Sequence, residues 1–340
     1  MMTKSIKAAI IGCGDIAGGY DERKRGEGIF SHAGAYRTNA HVDLVSAYDV
    51  DQQRLDVFCR FWNVGVQCLT LDEILRRKYD IISLCTPDDT HQEILEAIID
   101  SDSCRHIWCE KPLTISSAGA KHIIRLAREK DISLWLTNQR RWEPAHLEVK
   151  KRLTDGVIGE IVHITAYYVR GITHIGCTAI DTIRFLCGEV AWVAALPPFQ
   201  VGSYGDDPSL RCMLGLENGA MANLIGCDLR KYVYSLFEID IVGTHGRIRI
   251  ENNGDKIMVY GLKAYIHYPG FMELQVCESI DTQMKWSMKY RFDSILQHVL
   301  AGRHSIAEAE EGMMDLTVID ALKSSAAENG AKLFLKKMSR

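Results

Sequence analysis

No apolar run in the 340 residues approaches the roughly 20-residue length of a membrane span. The opening MMTKSIKAAIIGCG leads directly into a buried-type strand and does not resemble a cleavable signal. Charge of one sign is missing too. The formal net charge is −4 with acids and bases interspersed, so nothing proposes a nucleic-acid or membrane surface. Eleven cysteines are scattered without a C-x-x-C pair or a Cys/His cluster of zinc spacing. Several, Cys85, Cys109 and Cys187 among them, lie inside apolar runs and read as small core residues. The expectation is reduced thiols, a cytoplasmic setting and no bound metal. There is no low-complexity linker and no internal repeat.

What is present is ordinary globular composition, 47% hydrophobic and 25% charged, at a length comfortable for two domains. In the first third, short apolar runs (IKAAIIGCG, VDLVSAYDV, YDIISLCTP, HIWCEKP, ISLWLTNQ) alternate with helical patterns near 51–63, 71–77, 90–100 and 116–130. That alternation predicts a doubly wound parallel sheet of the Rossmann type over 1–142, with a helical return over 143–155 packing on it. From about Gly159 the runs alternate more and are separated by turns such as Glu217-Asn218-Gly219 and Asn252-Asn253-Gly254. This predicts a C-terminal α/β domain over 156–340 with a large, mainly antiparallel open sheet, closed by helices near 285–301 and 306–329.

At the end of the first strand stands Gly12-Cys13-Gly14-Asp15-Ile16-Ala17, a G-x-G-x-x-A. The first glycine permits a tight turn and the second lets backbone approach a pyrophosphate. The final small residue lets helix and strand pack closely. The second strand ends in Asp49, whose carboxylate can accept from ribose hydroxyls and repels a 2′-phosphate, favouring NAD over NADP. Asp49 lies 35 positions beyond Gly14, against about 20 in the usual fingerprint. The excess is a polar, Gly-rich insert over 18–31. It reads either as a solvated loop or as a flap whose Arg23, Lys24 and Arg25 meet substrate phosphate.

Two further motifs follow successive strands: Thr86-Pro87-Asp88-Asp89-Thr90-His91 and Glu110-Lys111-Pro112. With the glycine loop and Asn138-Gln139-Arg140-Arg141-Trp142, the chain resembles the glucose–fructose oxidoreductase/inositol dehydrogenase (Gfo/Idh/MocA) family along its whole length, most strongly over 6–190. The resemblance implies that Gly12, Gly14, Asp15 and Ile16 line the cofactor pyrophosphate and Asp49 the ribose. It sets Thr86, Pro87 and His91 along the cofactor, and Glu110 and Lys111 between nicotinamide and substrate, with Lys111-Pro112 cis. It also implies a homodimer or homotetramer through the C-terminal sheet.

Family members carry Asp-x-x-x-His-x-x-Asp at the helix facing the nicotinamide. Here the three positions are His174, Thr178 and Asp181. A histidine titrates near neutrality and can move a proton, whereas a threonine hydroxyl only relays or orients. Two replacements stay open. Lys111 can act as acid/base if desolvated, and His174, four residues before Thr178, can reach the same substrate hydroxyl. Asp181 reads as a helix-start carboxylate with an orienting role. Substrate candidates are Arg140 and Arg141, of which one meets substrate and the other pairs with local acids, then Arg170 and one of Tyr167 and Tyr168, with Tyr168 preferred. The expectation is an NAD-dependent oxidoreductase acting on a hydroxyl or keto group of a sugar, cyclitol or nucleotide-linked sugar, with no nucleic-acid or membrane partner. The alternative is an NAD-binding regulator or scaffold without turnover.

Overall fold

The computed structural model describes residues 5–24, 26–198, 206–227 and 236–336. The chain divides into two compact units, Met1–Trp142 with Lys285–Met314, and Glu143–Met284 with Asp315–Arg340.

In the first unit the strands are β1 (Ile6–Ile11), β2 (Val42–Tyr48), β3 (Val66–Cys68), β4 (Ile81–Leu84), β5 (His106–Cys109) and β6 (Ser133–Leu136). They form one sheet in the order β3-β2-β1-β4-β5-β6, with every pair parallel. β4, β5 and β6 are buried at every position, as a sheet covered on both faces requires. The helices between them are α1 (Tyr20–Arg23), α2 (His32–Arg37), α3 (Gln52–Trp62), α4 (Leu71–Leu75), α5 (His91–Ser101) and α6 (Ser117–Glu129). Four of them start at a side-chain cap: Ser31 takes the Gly34 N–H, Asp51 the Gln53 and Arg54 N–H groups, Thr70 that of Glu73, and Ser116 that of Gly119. Each such cap contributes about 1 kcal/mol and fixes where the chain turns into its helix.

The second unit starts with α7 (Pro144–Thr154), β7 (Ile161–Val169), α8 (Cys177–Cys187) and β8 (Val190–Ala195). It continues with β9 (Arg211–Leu216), β10 (Met221–Cys227), β11 (Glu238–Gly243), β12 (Gly246–Glu251), β13 (Lys256–Ala264) and β14 (Met272–Asp281). After α9 (Ser287–Ala301) and α10 (Ala307–Ala327) comes β15 (Leu333–Phe334). Its nine-stranded sheet runs β14-β13-β12-β11-β7-β10-β9-β8-β15, antiparallel except for the parallel pair β7·β10. The architecture is therefore α/β, a Rossmann-type parallel sheet plus a large, mainly antiparallel one.

Two boundaries differ from the expectation over 1–142 and 156–340. The segment 143–155 belongs to the second unit: Glu143 caps α7 and also accepts the Gln283 N–H at 2.7 Å. Residues 285–314 belong to the first unit. Phe292 of α9 stacks on Trp108 of β5 at 5.6 Å and meets Tyr36 of α2 edge-on at 4.8 Å. Burying a Phe of this kind contributes about 1.5–3 kcal/mol, a packing partner that strand and helix periodicity cannot name. β14 was not foreseen either. Almost all its residues are exposed, so it carries no burial alternation to read.

Candidate functional site

In the first unit, the carboxyl ends of β1, β4 and β5 stand side by side and carry the three motifs. Gly12 follows β1 with φ +88°, and a Cβ there would lie 2.7 Å from the Cys85 carbonyl, so only glycine fits this close approach. Gly14 differs. A Cβ on it would meet nothing within 4 Å, and no side chain caps the helical run that starts at Asp15. Backbone open on one side at the head of a helix is the arrangement that accepts a pyrophosphate, so the residues present fit a dinucleotide. Asp15 is exposed and paired with Arg23, while Ile16 packs on the core beneath the loop.

Asp49 is buried at the end of β2 and accepts the Cys13 N–H at 2.7 Å and the Asp51 N–H at 2.8 Å. It thus ties the glycine loop to β2. Each carboxylate oxygen takes two donors, so these bonds leave acceptor capacity for ribose hydroxyls. The insert is closed on itself by Asp21, a carboxylate only 6% exposed. Asp21 accepts from the Phe30 N–H (3.1 Å) and the Ser31 hydroxyl (2.5 Å), and Lys24 lies 3.2 Å away. Lys24 in turn donates to the Gly28 carbonyl at 2.6 Å, so Arg23 and Lys24 are engaged within the loop and its neighbourhood. Arg25 lies outside the described residues.

After β4, Thr86 is half-buried and Pro87 exposed; the Thr90 hydroxyl spans them, bonded to Thr86 Oγ1 and the Pro87 carbonyl. His91 corrects an expectation. Its ring is completely buried, with Nδ1 2.7 Å from the Pro112 carbonyl and Nε2 3.0 Å from the Thr86 carbonyl. A ring enclosed in this way offers no face to a cofactor; it clamps the loops after β4 and β5 to each other.

Glu110 and Lys111 follow β5, and the Lys111-Pro112 bond is cis. Glu110 is buried, its N–H on the Leu84 carbonyl and its Oε1 2.9 Å from Nε2 of His32. His32 Nδ1 is 2.9 Å from Ser83 Oγ, which is 2.5 Å from the Tyr36 hydroxyl. His32, Ser83 and Tyr36 were not singled out in the sequence. The one available signal was a histidine at the head of the helix that follows the insert. Arg140 and Arg141 lie on a single helical turn after β6, both half-buried. Arg141 meets an acid, Glu311 at 3.2 Å.

In the second unit, β7 leads to Arg170, exposed and in the left-handed region at φ +63°. A π-helical turn over Gly171–Gly176 then runs without a break into α8, so His174 does lie on the helix that carries Thr178. Asp207 heads this helix. Its carboxylate accepts the N–H groups of Thr173 (2.8 Å) and His174 (2.9 Å) and the Thr173 hydroxyl (2.8 Å). Lys323 adds a bond to Thr173 Oγ1 at 2.7 Å. His174 and Thr178 are half-buried, and Asp181 is buried at 2% exposure. Tyr168 corrects a second expectation. Alternation on β7 turns it inward, fully buried, where its hydroxyl bonds both the carbonyl and the N–H of Leu210. It is a core residue, and Tyr167 is the partly exposed one of the pair.

A glycine loop, an acidic β2 end and ligand-facing strand ends on one parallel sheet define a dinucleotide-binding oxidoreductase fold. Comparison with known proteins gives the family. The profile of an oxidoreductase family with an NAD-binding Rossmann fold (Gfo/Idh/MocA) matches residues 6–137, and that of the same family's C-terminal alpha/beta domain matches 171–333. The chain belongs to this family and has its NAD-binding Rossmann fold. It is 23% identical over 317 residues to inositol 2-dehydrogenase of Rhizobium meliloti, covering 87% of this chain and 93% of that protein. It is also 23% identical over 272 residues to myo-inositol 2-dehydrogenase of Thermotoga maritima, covering 73% and 78%. Among solved structures, levoglucosan dehydrogenase in complex with NADH and L-sorbose superposes with a TM-score of 0.80 at 16% identity, over 98% and 99% of the two chains. Among the described residues, no helix is long and apolar enough to cross a membrane and no side-chain group has the makings of a metal site.

Proposed function

We propose that the protein oxidises a secondary hydroxyl of a sugar, cyclitol or nucleotide-linked sugar, or reduces the corresponding ketone. The observation that carries this reading is the Glu110–Lys111 pair at the end of β5, on the same edge of the parallel sheet as the glycine loop after β1. Ligands of open parallel sheets bind outside that edge. The dehydrogenase names of the inositol relatives and of the levoglucosan enzyme support the substrate class.

NAD held by these residues would supply the hydride acceptor for oxidation and, reduced, the hydride donor for the reverse. The protein's part is to bind, orient and move the hydroxyl proton. Gly12 and Gly14 hold the loop open to the pyrophosphate, and the Asp49 carboxylate meets the ribose and repels a 2′-phosphate. Lys111 Nζ is the group that takes the hydroxyl proton in oxidation and returns it in reduction. His174 and Thr178 take supporting proton roles, Asp181 orients, and Arg140 and Arg141, on the turn after β6, are the candidates to meet substrate. Assembly into a homodimer or homotetramer through the second sheet is supported by Leu262, Leu274 and Val276, apolar and exposed on β13 and β14.

A screen of inositols, sugars and nucleotide-linked sugars with NAD and NADH, followed by cofactor absorbance, tests the reading. Turnover that Lys111→Met abolishes is the expected result. Tight NADH binding without turnover on any of them would replace it with a binding role.

A further inference from the structure

We propose that His32 is a positioning residue for Glu110, with Ser83 and Tyr36 fixing its tautomer; the proposal rests on the NAD-dependent reading above. The chain of contacts runs from the Tyr36 hydroxyl to Ser83 Oγ (2.5 Å), on to His32 Nδ1 (2.9 Å), and from Nε2 to Glu110 Oε1 (2.9 Å). A carboxylate only accepts, so Nε2 carries the proton facing Glu110. Nδ1 of a neutral ring must then accept from Ser83, and Ser83 from Tyr36. Every group is used once and all the bonds point towards Glu110.

The charges agree with that single direction. Burial pulls His32 below its ordinary value against the opposing pull of Glu110, which keeps the imidazole neutral. Burial also pushes the Tyr36 phenol far up, so it remains a donor. The far end of the chain is closed. Tyr36 is 1% exposed and abuts Trp108 and Phe292, so no proton leaves there. The network therefore orients and does not conduct.

The surroundings hold the ring rigidly. It lies over Trp108 at 3.7 Å, and Ser31, its neighbour in the chain, is both the cap of α2 and a partner of the buried Asp21. The insert that lengthens this chain thus delivers His32 beneath the Glu110–Lys111 turn. Three polar side chains buried in an aromatic core are each costly if left unbonded. What orders them is one carboxylate at a strand end.

The test uses the full chain with NADH as probe, reading the emission of bound NADH, and kcat and KM with a substrate from the screen. His32→Phe keeps the ring contact with Trp108 and deletes the donor; His32→Gln restores an N–H. His32→Phe should lower kcat about 10- to 100-fold with KM for NAD within about 3-fold, and shift bound-NADH emission as Glu110→Gln does. His32→Gln should recover most of that loss. The double variant His32→Phe/Glu110→Gln should be no worse than Glu110→Gln alone, because both act through one group. Should His32→Phe fail to fold, Ser83→Ala removes only the tautomer-fixing hydroxyl and should lower kcat about 3- to 10-fold. Folded His32→Phe or Ser83→Ala protein with unchanged kcat and NADH emission would overturn the proposal, as would additive losses in the double variant. Wild-type protein that binds no NADH would overturn the NAD-dependent reading and this proposal with it.

Discussion

Two buried charges, one in each unit, are held in opposite ways. In the second, the Arg184 guanidinium of α8 is surrounded by opposite charge, with Asp315 at 2.6 Å and Glu189 at 2.8 Å. In the first, the Glu110 carboxylate meets a neutral imidazole at 2.9 Å. A charge cancelled by ion pairs is spent on holding structure, and its removal leaves buried partners exposed to the full desolvation penalty. A carboxylate steadied by neutral donors keeps its net charge, which remains able to act on a neighbouring lysine or on a ligand. The first arrangement suits a scaffold and the second a site.

That contrast can be broken from either side. Lys111→Met should reduce turnover by about 10³-fold or more while leaving the melting temperature and NADH affinity nearly unchanged, in steady-state assays and thermal melts of the same preparation. A large loss of stability instead would make Lys111 a structural residue. Arg184→Met should do the reverse. It leaves Asp315 buried without its partner and should cost about 3–5 kcal/mol in a urea titration, while the remaining folded protein keeps its KM.

Gly12→Ala sharpens the account of the glycine loop. Its Cβ would meet the Cys85 carbonyl at 2.7 Å in a left-handed conformation. The expected cost is about 2–3 kcal/mol of stability, with NADH binding weakened at least about tenfold, measured by denaturation and fluorescence titration. Tyr168→Phe makes the smallest change. It deletes the two hydrogen bonds to Leu210 and should cost about 1–2 kcal/mol without altering KM for any substrate. A raised KM would return Tyr168 to the substrate side.

Much of the first unit was legible because a parallel sheet brings motif and position together. Gly12, Asp49, Thr86 and Glu110 follow β1, β2, β4 and β5, and topology alone sets all of them on one edge. Asp49's hydrogen bond to the glycine loop was not legible, since it joins residues 36 apart through a side chain. In the second unit, strand alternation correctly allowed only one of Tyr167 and Tyr168 to face outward. The choice between them went wrong because alternation gives a period without a phase, and only packing decides which face is covered. His91 was misread for a related reason. A motif marks a residue as important, but burial decides whether it touches a ligand or holds the loops that do.

By itself the sequence determined the α/β class, the alternation of strands and helices in the first unit, the glycine loop, the acidic β2 end and the Glu110–Lys111 turn. These rest on local periodicity and on residue types that few backbone conformations accept. Tertiary structure alone decided that α9 completes the first unit, that Asp207 heads the His174 helix, and that His32 donates to Glu110 across 78 residues of chain. Each depends on side chains meeting from distant segments, and no spacing along a chain encodes which segments those are.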